Sequence, residues 1–374
     1  MTAARTAPKF PLTAPHAHRL TQAQPHAGHG LRTNLLLVWM TAIACGCGGA
    51  VAPAVSAAPT PRPLGELALL VPEGATFVIV AHPAALFDST VAPRIVETLV
   101  VPGGLDRFAV RTGVDVRRLT EAVYAEYDGG ASLLLVRGPI DAALVVAESG
   151  ERMSVVESRA DEPLVRRAGF FTDERRELVA LDHDVVVITG GAAVPPLAAL
   201  LGCVTSRERR CRSAFSGQDA AALLSAHRAA PLAIYAPTGL TLPEGFGTTS
   251  LLAGTRALAA CVRLASADAI DINLDLRGRF PVGAETNFRT LALSLGASDL
   301  GAMVGLRLAA DRVTTTRDAS GLHLQSTVDV APLVHGLEVL FAGEIRAILG
   351  PSDADSGAHP RSPRDAGATI ENHK

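Results

Sequence analysis

The chain has 374 residues, 48% of them apolar, with 34 Lys+Arg against 37 Asp+Glu and a formal charge of −3. Residues 1–44 hold four positive charges and no negative one, so the remainder carries 30 Lys+Arg against 37 Asp+Glu, and this acidic balance argues against nucleic-acid phosphates as a partner. Lysine occurs only at Lys9 and Lys374, which leaves the region between them without the amine that a P-loop or a Schiff base requires.

In chain order the first distinct feature is Leu35–Cys47, LLLVWMTAIACGC. Its apolar part, Leu35–Ala44, is about half the roughly 20 residues that span a bilayer as a helix. It has the length of the apolar region of an export signal. Arg5, Lys9, Arg19 and Arg32 precede it without an acidic residue, as a cationic leader requires. The run closes on Ala42-Ile43-Ala44-Cys45, and here the chain resembles the signal peptides of bacterial lipoproteins. That resemblance implies cleavage before Cys45, diacylation of its thiol and attachment to a membrane of the cell envelope. The expected location is lipid-anchored at the outer membrane or facing the periplasm. Cys47 is the second candidate for lipidation, and a plain secretory signal cut near Val55-Ser56-Ala57 is the alternative. His16, His18, His26 and His29 lie in the leader and need no metal.

The body reads as a tether (45–66), a first module (67–215), a second module (216–350) and a polar, proline-punctuated tail (351–374). In the first module, strands are expected at Thr76–Ala81, Ala122–Tyr127 and Ser132–Arg137, the last two joined by Asp128-Gly129-Gly130. Helical segments are expected at Ala84–Leu99, Leu105–Arg111 and Pro139–Glu148. A meander follows at Met153–Ser158, Leu164–Phe171, Glu177–Leu181 and Val185–Thr189. The second module is expected to place strands at Leu232–Ala236, Arg256–Ala265, Ala269–Arg279, Arg307–Thr316 and Leu322–Val330, with helices near Thr249–Ala253, Val282–Ser298 and Ala331–Leu349. Ile270, Ile272, Leu274 and Leu276 alternate with Asp271, Asn273, Asp275 and Arg277, the pattern of an antiparallel strand with one dry and one wet face. The fold class expected is α+β, with two related modules, each a mostly antiparallel sheet packed with helices. Leu135-Val136-Arg137-Gly138 and Asp275-Leu276-Arg277-Gly278 anchor the relation. This layout looks like that of uncharacterised two-module lipoproteins of high-GC bacteria, a likeness that carries no functional residues.

Few residues suggest chemistry. Cys203 and Cys211 flank a short polar loop and form a candidate disulfide in an oxidising compartment, while Cys261 stays unpaired in a strand. Arg207, Arg209, Arg210 and Arg212 make that loop a candidate anion contact. Asp182-His183-Asp184 reads as a hairpin turn whose side chains diverge. His82 sits at a strand end before Pro83, His335 pairs with Glu338 on a wet helix face, and Gly190-Gly191 opens a helix. No metal or cofactor is expected and no catalytic residue is named. The reading is therefore a lipid-anchored envelope protein with a structural or binding role, partnered by the membrane through its lipid and by an envelope protein. An exported hydrolase drawing His82 and His183 into one cleft, or a carrier of an apolar ligand, are the alternatives.

Overall fold

The computed structural model describes residues 64–148, 153–155, 164–171, 174–191, 194–205, 212–239, 251 and 254–349. The leader, Cys45, Cys47, Arg207, Arg209, Arg210, Cys211 and the tail lie outside the described residues.

The fold is mixed helix and strand, built on one large antiparallel sheet of order β11-β12-β10-β9-β8-β1-β2-β3-β7-β6-β5-β4. Its strands are β1 (Ala75–Ala81), β2 (Glu121–Tyr127), β3 (Ser132–Arg137), β4 (Met153–Val155), β5 (Arg166–Phe171), β6 (Glu174–Asp182), β7 (Val185–Gly190), β8 (Leu232–Ala236), β9 (Thr255–Leu264), β10 (Ala269–Gly278), β11 (Val313–Arg317) and β12 (Gly321–Asp329). The strands expected of two separate sheets thus lie in one. The joint is the antiparallel pairing of β1 with β8, in which Val78 faces Tyr235 and Val80 faces Ala233.

Both faces of the sheet are covered. One carries Val78, Val123, Leu133, Leu135, Val185, Val187, Tyr235, Ala259 and Cys261. On these pack a 3-10 turn at Leu67–Leu70 and the helices Val194–Thr205 and Gln218–His227. The opposite face carries Ile79, Tyr124, Leu134, Val136, Val186 and Ile188 under the helices Gly104–Thr112 and Ala142–Ala147. Farther along this face, Leu276, Leu322 and Leu324 are covered by Phe288 and Ala292 of Ala284–Ala297, and Ile270 packs with Val91 and Val330. In chain order the helices are α1 (Pro83–Phe87), α2 (Val91–Leu99), α3 (Gly104–Thr112), α4 (Ala142–Ala147), α5 (Val194–Thr205), α6 (Gln218–His227), α7 (Ala284–Ala297), α8 (Asp299–Met303) and α9 (Val330–Leu349). Pro83 begins α1 at a position where its missing N–H costs no hydrogen bond, and Asp141 caps α4 by accepting from the Leu144 N–H.

Expectation and structure part at particular elements. The segment Ala84–Leu99 divides into α1 and α2, separated by Asp88–Thr90, where Ser89 bonds back to the Leu86 carbonyl. The strand expected over Arg307–Thr316 shortens to β11, because Ala310–Arg312 forms a 3-10 turn before it. Helix α6 was not expected. Its buried residues Ala220, Leu223, Leu224 and His227 follow the i, i+3, i+4, i+7 stripe of an amphipathic helix, with a histidine in the last apolar position.

Candidate functional site

The alternation read in β10 separates Asp275 from Leu274 and Leu276, but the face expected to be wet is covered by α6, which buries Asp275. Asp275 stands opposite Ala259 of β9 and His323 of β12, and His323 in turn stands opposite Thr316 of β11. Ala259 is small, so the end of α6 settles against this row and His227 reaches Asp275. The contacts form one chain. His227 Nε2 lies 2.5 Å from Asp275 Oδ2, His323 Nδ1 lies 2.6 Å from Asp275 Oδ1, and His323 Nε2 lies 3.1 Å from Asp318 Oδ2. His227 and Asp275 are buried, His323 is half-buried and Asp318 is exposed, so the chain runs from the interior to the surface.

The electrostatics follow from this geometry. The hydrogen bond to Asp275, followed by the neighbouring Cys261 thiol, raises His227 to about 9 against the opposing effect of burial. Burial pushes the Asp275 carboxyl upward, and the bonds from His227 and His323 more than reverse it, holding the group below the usual carboxylate range. Asp318 is held well below that range, first by the Ser320 hydroxyl and then by the Ser320 and Gly321 N–H groups of its turn.

Cys261, His227 and Asp275 are the residue types of a nucleophilic triad, but their arrangement does not suit one. Cys261 is free and fully buried beneath α6, where no substrate can meet its sulfur. His227 Nδ1 is buried without a hydrogen-bond partner. The chemistry this cluster can perform is cross-linking by charge: one carboxylate joins α6, β10 and β12, and His323 carries the link to the turn after β11.

A second polar cluster joins Glu121 to Arg137 and Asp184, the last two being residues that appear in the sequence motifs. Glu121 at the start of β2 is buried and accepts from the Leu67 N–H at 2.9 Å. Arg137 at the end of β3 lies 3.2 Å from Glu121 and donates to the Leu64 and Gly65 carbonyls. Burial raises Glu121, and Arg137 and the Leu67 and Ala68 N–H groups only partly offset it. Asp184 approaches Arg137 at 3.8 Å. These contacts fasten the segment before β1 across the sheet end, a structural task. Asp182, His183 and Asp184 do form the β6–β7 turn, but their side chains do not diverge as expected. One donor atom from each lies within 4.8 Å of the others, and His183 Nδ1 is 2.9 Å from Asp182 Oδ1. The turn curls so that neighbouring side chains converge.

The remaining candidates are dispersed. His82 Nδ1 is 3.1 Å from the Thr120 carbonyl. It extends β1, whereas His183 lies in the β6–β7 turn, and β2 and β3 stand between β1 and β7. Three strand spacings, roughly 14 Å, therefore separate the two imidazoles' strands, and the structure does not bring them into one cleft. His335 faces Glu338 at 3.7 Å with both exposed. Arg212 lies 3.8 Å from Glu73. Cys203 in α5 is disulfide-bonded, to a partner outside the described residues. Clefts of about 300 Å³ beside Val96, Val100, Leu105 and Arg117, and about 220 Å³ beside Arg94, Val334 and His335, flank α2 away from both clusters. Among the described residues no helix is long and apolar enough to cross a membrane.

Sequence reasoning named neither His227 nor His323 and read Asp275 only as a wet-face residue. His227 and His323 each stand 48 positions from Asp275. The one local signal is the histidine on the apolar stripe of α6. No family model, no curated protein and no solved structure matches the chain.

Proposed function

We propose that the protein is a lipid-anchored component of the cell envelope, attached through Cys45, whose folded body serves a structural or binding role. The run Leu35–Cys47, ending in small residues before a cysteine, is the observation that carries this reading. A structural role suits the buried groups of the body: His227, Asp275 and His323 fasten elements to one another, and the Cys261 thiol is buried.

The body consists of two related halves. Reading outward from the β1/β8 joint, the order β1-β2-β3-β7-β6 on one side is matched by β8-β9-β10-β12-β11 on the other. Arg137-Gly138 closes β3 and Arg277-Gly278 closes β10 at corresponding places. Such a duplicated sheet gives a broad surface on a tether.

The test is chemical cross-linking of intact cells followed by recovery of the protein from the envelope fraction. One reproducible envelope-protein adduct is expected. Recovery of the protein from the soluble fraction, or of no adduct under several cross-linking chemistries, would overturn the reading.

A further inference from the structure

We propose that the His227–Asp275–His323–Asp318 chain is a pH-sensitive latch that holds the edge hairpin β11–β12 against the body in acid and releases its turn as the pH rises. The geometry at His323 carries the proposal. Its Nδ1 faces Asp275 and its Nε2 faces Asp318, at 2.6 and 3.1 Å. An ionised carboxylate only accepts hydrogen bonds, so both ring nitrogens must donate, and only the imidazolium has two N–H groups. The neutral ring keeps one bond and turns a lone pair toward the other carboxylate.

Neither carboxylate can readily relieve this by taking a proton. Asp318 Oδ1 already accepts from the Ser320 N–H, the Ser320 hydroxyl and the Gly321 N–H at 2.6–2.9 Å, all of which favour the ionised form. Asp275 Oδ2 is engaged by His227. With both imidazoles charged, two cations face two anions. Loss of either proton leaves a net negative charge in a half-buried place.

The groups around the chain are few. Cys261 of β9 lies beside His227, with the buried Tyr235 of β8 next to it. On β10, Arg277 lies two residues beyond Asp275 on the same face, opposite Gly321. On β11, uncharged Thr316 faces His323, and Arg317 ends the strand. The other charged pairs of α6, Asp219 with Arg256 and Arg228 with Glu66, lie at its start and just beyond its end.

The released part is local. β11 bonds only to β12, at the margin of the sheet. Arg289 of α7 holds the far end of β11 through the Ala310 and Val313 carbonyls. The near end, Arg317–Gly321, depends on Asp318.

Hydrogen exchange of the full chain, read by mass spectrometry at pH 5.5, 7.0 and 8.5 with labelling times scaled to the intrinsic exchange rate, tests the latch. Protection of residues 316–323 is expected to fall about ten-fold or more between pH 5.5 and 8.5, and by more than that of residues 121–137. In His323→Gln the segment should lose this excess and follow residues 121–137 across the same range. Asp318→Asn, in an exposed turn, should remove most of the excess and keeps the test available if the first variant does not fold. Protection of this segment that falls no more than that of residues 121–137 in the parent, or an undiminished excess in either variant that folds, would overturn the proposal.

Discussion

Asp275 accepts from two imidazoles at once, so removing it leaves both without their anion. Asp275→Ala should cost about 3–5 kcal/mol, the range for breaking a buried pair by deleting one partner, read as a lowered urea midpoint. The pH dependence of global stability follows from the same contacts. Asp275 is lowered from 3.8, so its contribution is present above that pH and disappears as the pH falls through its lowered value. His227 is raised from 6.5 to about 9, so its contribution is complete below 6.5 and is lost as the pH climbs to 9. Stability should therefore decline on the alkaline side between these values, and His227→Gln should flatten that limb. A parent curve that is flat from pH 6.5 to 9 would contradict the assignment. Only the face on which Asp275 lies was legible in the sequence: strand alternation sets it apart from Leu274 and Leu276, but the face read as wet is buried under α6. The partners of Asp275 were not, because contact across β9 and α6 depends on strand order and helix docking, which local patterns do not encode.

At the scale of elements, the strands were the more readable part, since alternation and the Asp128-Gly129-Gly130 and Asp182-His183-Asp184 turns mark their ends. Helix α6 was missed although its apolar stripe is regular, because that stripe ends in a histidine. The edge hairpin shows how the sheet is terminated. Arg289 occupies the carbonyl of Val313, a group at the start of the edge strand that would otherwise be open to another chain, and that of Ala310 in the turn before it. Arg289→Ala should promote concentration-dependent association in sedimentation velocity; a variant as dispersed as the parent would show that this guanidinium does not guard the edge. Gly321 begins β12 where a Cβ would meet the Leu276 carbonyl oxygen at 1.9 Å. Gly321→Ala should therefore destabilise by about 1–3 kcal/mol through overpacking, measured by thermal or urea unfolding, and an unchanged midpoint would mean that the β10–β12 pair yields.

For the whole molecule, the α+β character could be read along the chain. The single sheet could not, because it rests on β1 pairing with β8 across more than 150 positions, a distance over which periodicity carries no information. That joint should make the two halves unfold together. Tyr235, 1% exposed and in edge-to-face contact with Phe215, sits on it. Tyr235→Ala should cost about 3–5 kcal/mol and shift one common transition; two resolved transitions in the parent would mean that the halves are independent. The proposal for the molecule as a whole is that this sheet is carried on an acylated tether. Intact-mass and acyl-labelling analysis of the membrane fraction, with Cys45→Ser and Cys47→Ser compared to the parent, tests it most directly. Labelling of the parent and of Cys47→Ser, lost in Cys45→Ser, is the predicted result; an unlabelled parent would contradict lipid anchoring, and labelling lost only in Cys47→Ser would move the anchor to Cys47.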